Sequence, residues 1–370
     1  MKELIIKCPV CETTYDNKVT ICTICRFTEL NKMFLSQEDY QEWMENTVKP
    51  FREMYQRECS EKEKLKEELK QKEEQYQQAE QMIEKESYDI KKKGGVVVAT
   101  GNNEYGECNV KDWTGIISIA CGSWHTIGLR KDGTVVATGY NGDGQCNVKD
   151  WTGIISIACG EMHTVGLRKD GTVVATGDNK CGQCNIKDWT EIKSIACGDN
   201  HVVGLRKGGT VVATGDDVGV GGRCDVEDWT GIISIACGSW HTIGLRKDGT
   251  VVATGDNMCG QCDVEDWTGI ISIACGGLHT VGLMKDSTVV ATGNNVYGQC
   301  DVENWWGIEA IACGLFHIVG LRKDGTVVVT GKNENGECDV EDWTGIISIT
   351  CGGLHTVGLK KLYYWNKSLH

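Results

Sequence analysis

The chain has 370 residues, with 52 acidic against 38 basic side chains and a formal charge of −14, and it carries 47 glycines but only 2 prolines. That balance excludes collagen, which needs both residues, and a proline-rich linker. The acidity argues against nonspecific nucleic-acid binding, which depends on neutralising phosphates, and no apolar run approaches the ~18–20 residues of a membrane helix. Length suggests two or three domains, since single cores rarely grow past roughly 250–300 residues. The opening Met1-Lys2-Glu3-Leu4-Ile5-Ile6-Lys7-Cys8 is too short and too charged to read as an export signal. A cytoplasmic location is therefore expected. The 21 cysteines then read as cytosolic thiols or metal ligands, not as a disulfide framework.

Residues 1–34 form the first predicted unit. Cys8-Pro9-Val10-Cys11 and Cys22-Thr23-Ile24-Cys25 stand ten residues apart. Each Cys-x-x-Cys turn aims two thiolates at one ion, and two turns complete a tetrahedron. Cys8, Cys11, Cys22 and Cys25 are accordingly expected to hold a structural Zn2+, with a small hairpin spanning the gap. Four protein ligands leave no open position for catalysis, and a module of about 30 residues needs the metal to fold. A dithiol redox pair is the competing reading, and it lacks the surrounding βαβ pattern. The arrangement resembles the short zinc ribbon at the start of many bacterial proteins.

Residues 35–93 read as a helical spacer. Ser36-Gln37-Glu38-Asp39 is a variant capping box, Tyr40, Trp43, Met44 and Val48 give an apolar stripe, and Pro50 is expected to break or kink the helix. From Phe51 to about Lys92 the chain is rich in Glu, Lys and Gln. Leu65, Leu69, Tyr76, Ala79 and Ile83 follow a 4-3 spacing, with Lys72 as the weak member. Forty-odd residues reach roughly 60 Å as a helix. A seam this weak fits a single exposed helix as well as a coiled-coil dimer, and both readings stay open.

From residue 95 the chain repeats itself. Ile-Ala-Cys-Gly, two residues and a His mark each copy, at His125, His163, His201, His241, His279, His317 and His355. The spacing is 38 residues, except for one of 40 between His201 and His241, where Asp216–Cys224 carries a two-residue insertion. Such a period means a stacked architecture and not an enzyme with one unique site. Each copy reads as a Val-Val-Ala-Thr-Gly strand, a loop ending in Gly-Gln-Cys, a short Asn-Val segment, Asp-Trp-Thr-Gly, an Ile-Ile-Ser-Ile-Ala-Cys strand and a His-Thr-Val-Gly-Leu strand. Lys-Asp-Gly then turns the chain, as Asp-Gly does in tight hairpins. Three or four short strands per unit and no helix are expected. Units of this kind bury their faces only by stacking, most simply in a ring with protected edges. The first strand, Val96–Thr100, lacks a partner before it and the last, His355–Leu359, lacks one after it, so the two are expected to pair and close the ring.

These motifs resemble the repeats of the regulator of chromosome condensation. Gly-Asn-Asn-x-Tyr-Gly-Gln-Cys, Ile-Ala-Cys-Gly-x-x-His-Thr-Val-Gly-Leu and Lys-Asp-Gly-Thr-Val-Val-Ala-Thr-Gly carry the likeness over about 94–361. The short unit is closest to the compact bacterial form, which includes a secreted inhibitor of β-lactamases. The resemblance implies a mainly β protein, with a seven-bladed β-propeller over 94–365 after the zinc ribbon and the long helix.

Positions alike in all copies are expected to serve the blade. The repeated His reads as a structural hydrogen-bonding residue. Trp113, Trp151, Trp189, Trp229, Trp267 and Trp343 read as inter-blade packing, and the Cys of Ile-Ala-Cys-Gly, in phase with the Ile residues, as a small buried side chain. Variation gathers in two loops that an antiparallel meander places on one face. One carries Trp124, Met162, Asn200, Trp240, Leu278, Phe316 and Leu354 just before each His; the other carries Tyr105 and Tyr297. Apolar loop tips of this kind read as a protein-binding surface with aromatic anchors, or alternatively as packing onto the next blade. Two copies carry Cys-Gly-Gln-Cys, at Cys181/Cys184 and Cys259/Cys262. These read as a redox pair or half a zinc site, or as Cys standing where other copies have Tyr.

The leading functional expectation is a non-enzymatic interaction protein whose propeller face binds a protein partner while the ribbon and helix tether it. Guanine-nucleotide exchange on a small GTPase is the alternative implied by the family. The eukaryotic exchange factor inserts a wedge from one blade, whereas no copy here has an insertion beyond two residues. Nucleic-acid binding is unfavoured, and no phosphate loop or triad stands out.

Overall fold

The computed structural model describes residues 6–7, 14–15, 38, 41–42, 44–216 and 222–361. The chain divides into two compact units, Met1–Glu86 and Ser87–His370.

In the first unit, Ile6–Lys7 and Thr14–Tyr15 form an antiparallel pair with Ile6 opposite Tyr15. Cys8, Cys11, Cys22 and Cys25 lie outside the described residues. A π-helical turn, Met44–Val48, runs into an α-helix, Lys49–Lys93, of 45 residues. Pro50 therefore does not break the helix. It sits at the first turn of the α-helical stretch, where its missing N–H costs nothing, and the wider π turn precedes it where its ring would crowd the carbonyl four residues back. Leu65 and Leu69 are 65% and 60% exposed within the single chain. No helix among the described residues is long and apolar enough to cross a membrane.

The second unit contains seven three-stranded antiparallel sheets. In the first, an inner strand Ile116–Cys121 pairs with a middle strand His125–Arg130, and that with an outer strand Val135–Gly139. Five more follow, their inner strands starting at Ile154, Ile192, Ile232, Ile270 and Ile308. The seventh takes its inner and middle strands, Ile346–Cys351 and His355–Lys360, from the end of the repeat region. Its outer strand, Val96–Gly101, comes from the start. Three strands form per copy, and the Asn-Val segment is a turn that docks a buried Val such as Val148.

Each inner strand bulges at its second residue. Ile116 faces Arg130 while Ser118 faces Leu129, so one extra residue is inserted. The bulge lets Ile116 and Ile119, three apart, both enter the core and turns the residue between outward, as at Ile155, Ile233 and Ile271. A strictly alternating strand would bury the wrong isoleucine.

The core lies between sheets. One cluster joins Ala120, Ile127, Leu129 and Val135 of the first sheet to Val148, Trp151, Ile154 and Ile157 leading into the second. Trp151 covers Gly166, where a Cβ would press into the indole. The same relation holds for Trp305 over Gly320; Trp305 follows Asn304 and so falls outside the Asp-Trp pattern of the other copies. These tryptophans are inter-sheet packing.

The candidate binding face

Every repeated His is fully buried. His125 Nε2 lies 2.9 Å from the Thr164 hydroxyl of the next sheet, and the Thr164 hydroxyl donates to the Gln145 carbonyl at 2.8 Å. Thr164 has one proton to give, so His125 is the donor in their contact and its imidazole is the neutral Nε2–H form. His201–Thr242, His241–Thr280 and His317–Thr356 repeat the link, and His355–Thr126 joins the seventh sheet to the first. Burial drives the imidazoles far below their ordinary range, His125 to about 3 and His355 to about 4. They are neutral supports, not bases.

The Cys-Gly pairs at the inner-strand ends surround a cavity of about 140 Å³. All seven inner-strand cysteines, six in Ile-Ala-Cys and Cys351 in Ile-Thr-Cys, border it, together with Ser123, Asp199, Ser239 and Leu315. Burial pushes the Cys121 thiol up to about 12. The second cysteine of each Cys-Gly-Gln-Cys pair holds its loop. Cys184 and Cys262 donate to the carbonyls of Asp178 and Asp256 at 3.3 Å, as Cys146 does to Tyr140, and burial holds both near 11. Cys181 and Cys259 occupy the place of Tyr105 and Tyr297. Among the described residues no group of His, Cys, Asp or Glu is arranged to hold a metal.

The two variable loops meet at one end of the sheets. The residue before each His accepts, through its backbone carbonyl, the N–H of the residue after Ala-Thr-Gly. Trp124 accepts from Tyr140, Met162 from Asp178, Asn200 from Asp216, Trp240 from Asp256, Leu278 from Asn294, Phe316 from Lys332 and Leu354 from Asn102, all at 2.8–2.9 Å. The backbones are thus fixed while the side chains vary. The Lys-Asp-Gly turns meet the Trp-Thr-Gly turns at the other end, as in Ile154 N–H to Gly133 O at 3.2 Å.

At each junction three loop positions from two neighbouring sheets converge. Tyr105 packs edge-on against Trp124, with ring centres 5.7 Å apart, and against Tyr140 at 5.1 Å. Tyr297 meets Phe316 at 5.4 Å, and Lys332 Nζ lies 5.3 Å from the Tyr297 ring. Arg223, a residue the sequence reading did not single out, lies over Trp240 at 4.5 Å. These anchors pack across junctions and also stay partly open, Trp240 at 43% and Tyr105 at 46% exposure. Met258 and Val296 extend this apolar sector.

The remaining arc, over the second and third sheets, is acidic. Burial and the neighbouring Glu161 raise Asp199 to about 6, eased by the Ser239 hydroxyl and Arg223. Burial, with Asp178, raises Glu161 too. Lys180 bridges Asp143 and Asp178 at 3.6 and 3.3 Å.

A family model for the regulator of chromosome condensation (RCC1) repeat matches six segments, 116–145, 154–183, 192–218, 232–261, 270–299 and 308–337. These six segments are RCC1 repeats. The fold is that of an RCC1-like propeller. A structure of Kap60 bound to yeast RCC1 (Prp20) aligns at 20% identity over 75% of this chain and 92% of that one, with a TM-score of 0.60. Prp20p from Saccharomyces cerevisiae, described with its binding to Gsp1p and histones, aligns at 19% over 75% and 95%, also with a TM-score of 0.60. The ectodomain of the Arabidopsis thaliana receptor kinase ACR4 aligns at 23% over 66% and 90%, with a TM-score of 0.57. No curated protein sequence matches the chain as a relative. At these identities the structural likeness speaks to the fold alone.

Proposed function

We propose that the repeat region is a non-enzymatic interaction module that binds a protein through its variable end. In this reading the seven sheets are the blades of one closed ring. The pairing of Val96–Gly101 with His355–Lys360 and the His355–Thr126 link support that closure. The observation that carries the functional reading is the division of one end into an aromatic sector and an acidic sector, on loops tied together by backbone hydrogen bonds. A flat surface with fixed aromatic anchors suits a protein better than a small molecule.

The test compares capture of partners from cytosol by the full chain and by a variant with Trp124, Trp240 and Phe316 all changed to Ala. A protein retained by the first and lost by the second, at unchanged melting temperature, supports the reading. Retention of the same proteins by both overturns it. The exchange-factor alternative predicts faster nucleotide release from a small GTPase, measurable over a panel of GTPases.

The amino-terminal unit serves, in the same proposal, as a tether carrying structural zinc on Cys8, Cys11, Cys22 and Cys25. The spacing supports this, as does the antiparallel pair Ile6–Lys7 with Thr14–Tyr15, which brackets the first cysteine pair in sequence. One zinc per chain, lost in a Cys8→Ser, Cys11→Ser variant, is the expected metal analysis.

A further inference from the structure

The repeat supplies its own controls for reading the aromatic junctions. At the junction of the fifth and sixth sheets, Lys332 Nζ lies over two rings, 5.3 Å from Tyr297 and 5.7 Å from Phe316. At the junction of the third and fourth, the Arg223 guanidinium lies 4.5 Å over Trp240. In both, the chain places one of its own cations on the aromatic face, where the ring quadrupole attracts it.

The junction of the seventh and first sheets has the same design without the cation. Tyr105 stands where Tyr297 does, Trp124 where Phe316 does, and Tyr140 takes the place of Lys332. Among the described residues no basic group lies over these three rings. A second change accompanies the first. Gln299, the buried residue two after Tyr297, is satisfied on both sides: its Oε1 accepts from Tyr297 N–H at 2.9 Å and its Nε2 donates to Asn294 Oδ1 at 3.0 Å. At the seventh–first junction this residue is Glu107, also fully buried. Its Oε2 accepts from Tyr105 N–H at 2.9 Å, and its Oε1 has no hydrogen-bond partner. The equivalent side chain at the next junction, Gln145, reaches Met162 Sδ at 3.4 Å, and Met162 occupies the position of Trp124. Gln183, Gln261 and Gln299 turn the same atom to the side chain five residues back; at Glu107 that neighbour is Asn102, whose Oδ1 accepts from Glu104 N–H instead, and Glu337 repeats the bare oxygen beside Leu354, where no ring stands. A buried carboxylate with an unpaired oxygen is costly unless a donor meets it. Burial raises its carboxyl, opposed only by backbone N–H groups and worsened by Glu104.

We propose that Tyr105, Trp124, Tyr140 and Glu107 form a receptor for a basic side chain, lysine or arginine, of the protein that docks on this end. The partner then supplies the cation that Lys332 and Arg223 supply from within the chain at the other two junctions. Three rings offer the π faces and Glu107 offers the charge-assisted hydrogen bond.

The proposal rests on the binding-face reading, and its test needs no partner. The full chain is labelled with 5-fluorotryptophan, the Trp124 resonance is assigned with Trp124→Phe, and the protein is titrated with N-acetyl-arginine amide, N-acetyl-lysine amide and uncharged N-acetyl-norleucine amide. The expected result is a saturable shift of the Trp124 resonance with the two cations and none with norleucine. Glu107→Gln should weaken it at least tenfold. Tyr140→Lys should abolish it at unchanged melting temperature by filling the receptor from within. No shift in the wild type, or an equal shift in Tyr140→Lys, overturns the receptor even if the face captures a protein. A normal titration with no protein captured overturns the face reading instead and leaves the receptor standing.

Discussion

Five of the seven sheet junctions differ from the other two at a single buried contact. Where a Thr follows the His of the next sheet, the imidazole gives its Nε2–H to a hydroxyl. Where Val202 and Ile318 stand in that place, His163 and His279 have both ring nitrogens without a partner among the described residues. The backbone at the two kinds of junction is alike, with Gly160 and Gly122 accepting the same close approach of a His ring and of the next Cys-Gly carbonyl. The junction is therefore set by shape first, and the hydrogen bond is an addition that two of the seven junctions lack.

Acid should erase the difference, with the largest effect. Burial lowers all seven imidazoles, the paired His201, His241 and His317 to about 3 and the unpaired His163 and His279 to about 4. A folded-state value below the unfolded ~6.5 means the unfolded chain binds more protons. The stability from these groups is complete above about 6.5 and is lost as pH falls toward 3–4, by up to about 1.4 kcal/mol per unit for each histidine. Asp199, raised to about 6, acts oppositely: its contribution is present below the ordinary carboxylate value and lost as pH rises through about 6. Glu107 and Glu161, raised by burial as well, act in the same sense as Asp199, and the seven histidines outnumber them. Melting temperatures from pH 7.5 to 5 should fall steeply, and a flat profile would refute the buried neutral histidines.

Adding a Cβ at the shared feature comes next. Gly160→Ala would drive the methyl into the His163 ring and the Gly198 carbonyl. A loss of about 3 kcal/mol or more is expected in denaturant unfolding. Gly122→Ala, at a hydrogen-bonded junction, should cost the same if shape dominates.

The smallest effects would sharpen the comparison most. Thr164→Val removes a hydroxyl that links His125 to the Gln145 carbonyl and should cost about 1–3 kcal/mol. Val202→Thr makes the reverse change opposite His163 and should gain about 1 kcal/mol. Equal and small shifts of the denaturation midpoint in both would mean the hydrogen bond is incidental.

Much of this was legible in the sequence because seven copies act as their own alignment. The period, the pairing of Val96–Gly101 with the last strand, the structural role of the His and the common end of both loops all follow from comparing them. The His–Thr link was legible too, since the residue after each His is Thr except at Val202 and Ile318, but nothing in one copy says that it reaches the next sheet. The grouping of Tyr105 with Trp124 and Tyr140 was hidden for the same reason, because lateral contacts between sheets are fixed by three-dimensional packing and not by spacing. The bulge at Ile117 interrupts the alternation from which the burial of the Ile-Ala-Cys cysteine was argued, which holds only for Ile119 and Cys121 beyond it. Pro50 misled because a π turn absorbs a proline that an α-helical interior would reject. Arg223 stands in the unit whose two-residue insertion falls partly on residues outside those described.

The outer strand of the seventh sheet comes from before the first copy, so the boundary of a sequence unit is out of phase with the boundary of a sheet. A gain or loss of any whole 38-residue copy would leave the seam between Val96–Gly101 and His355–Lys360 untouched. The number of sheets could then change in one genetic step without a new way of joining the ends, and the count of sheets, not the seam between first and last strands, becomes the quantity that selection adjusts.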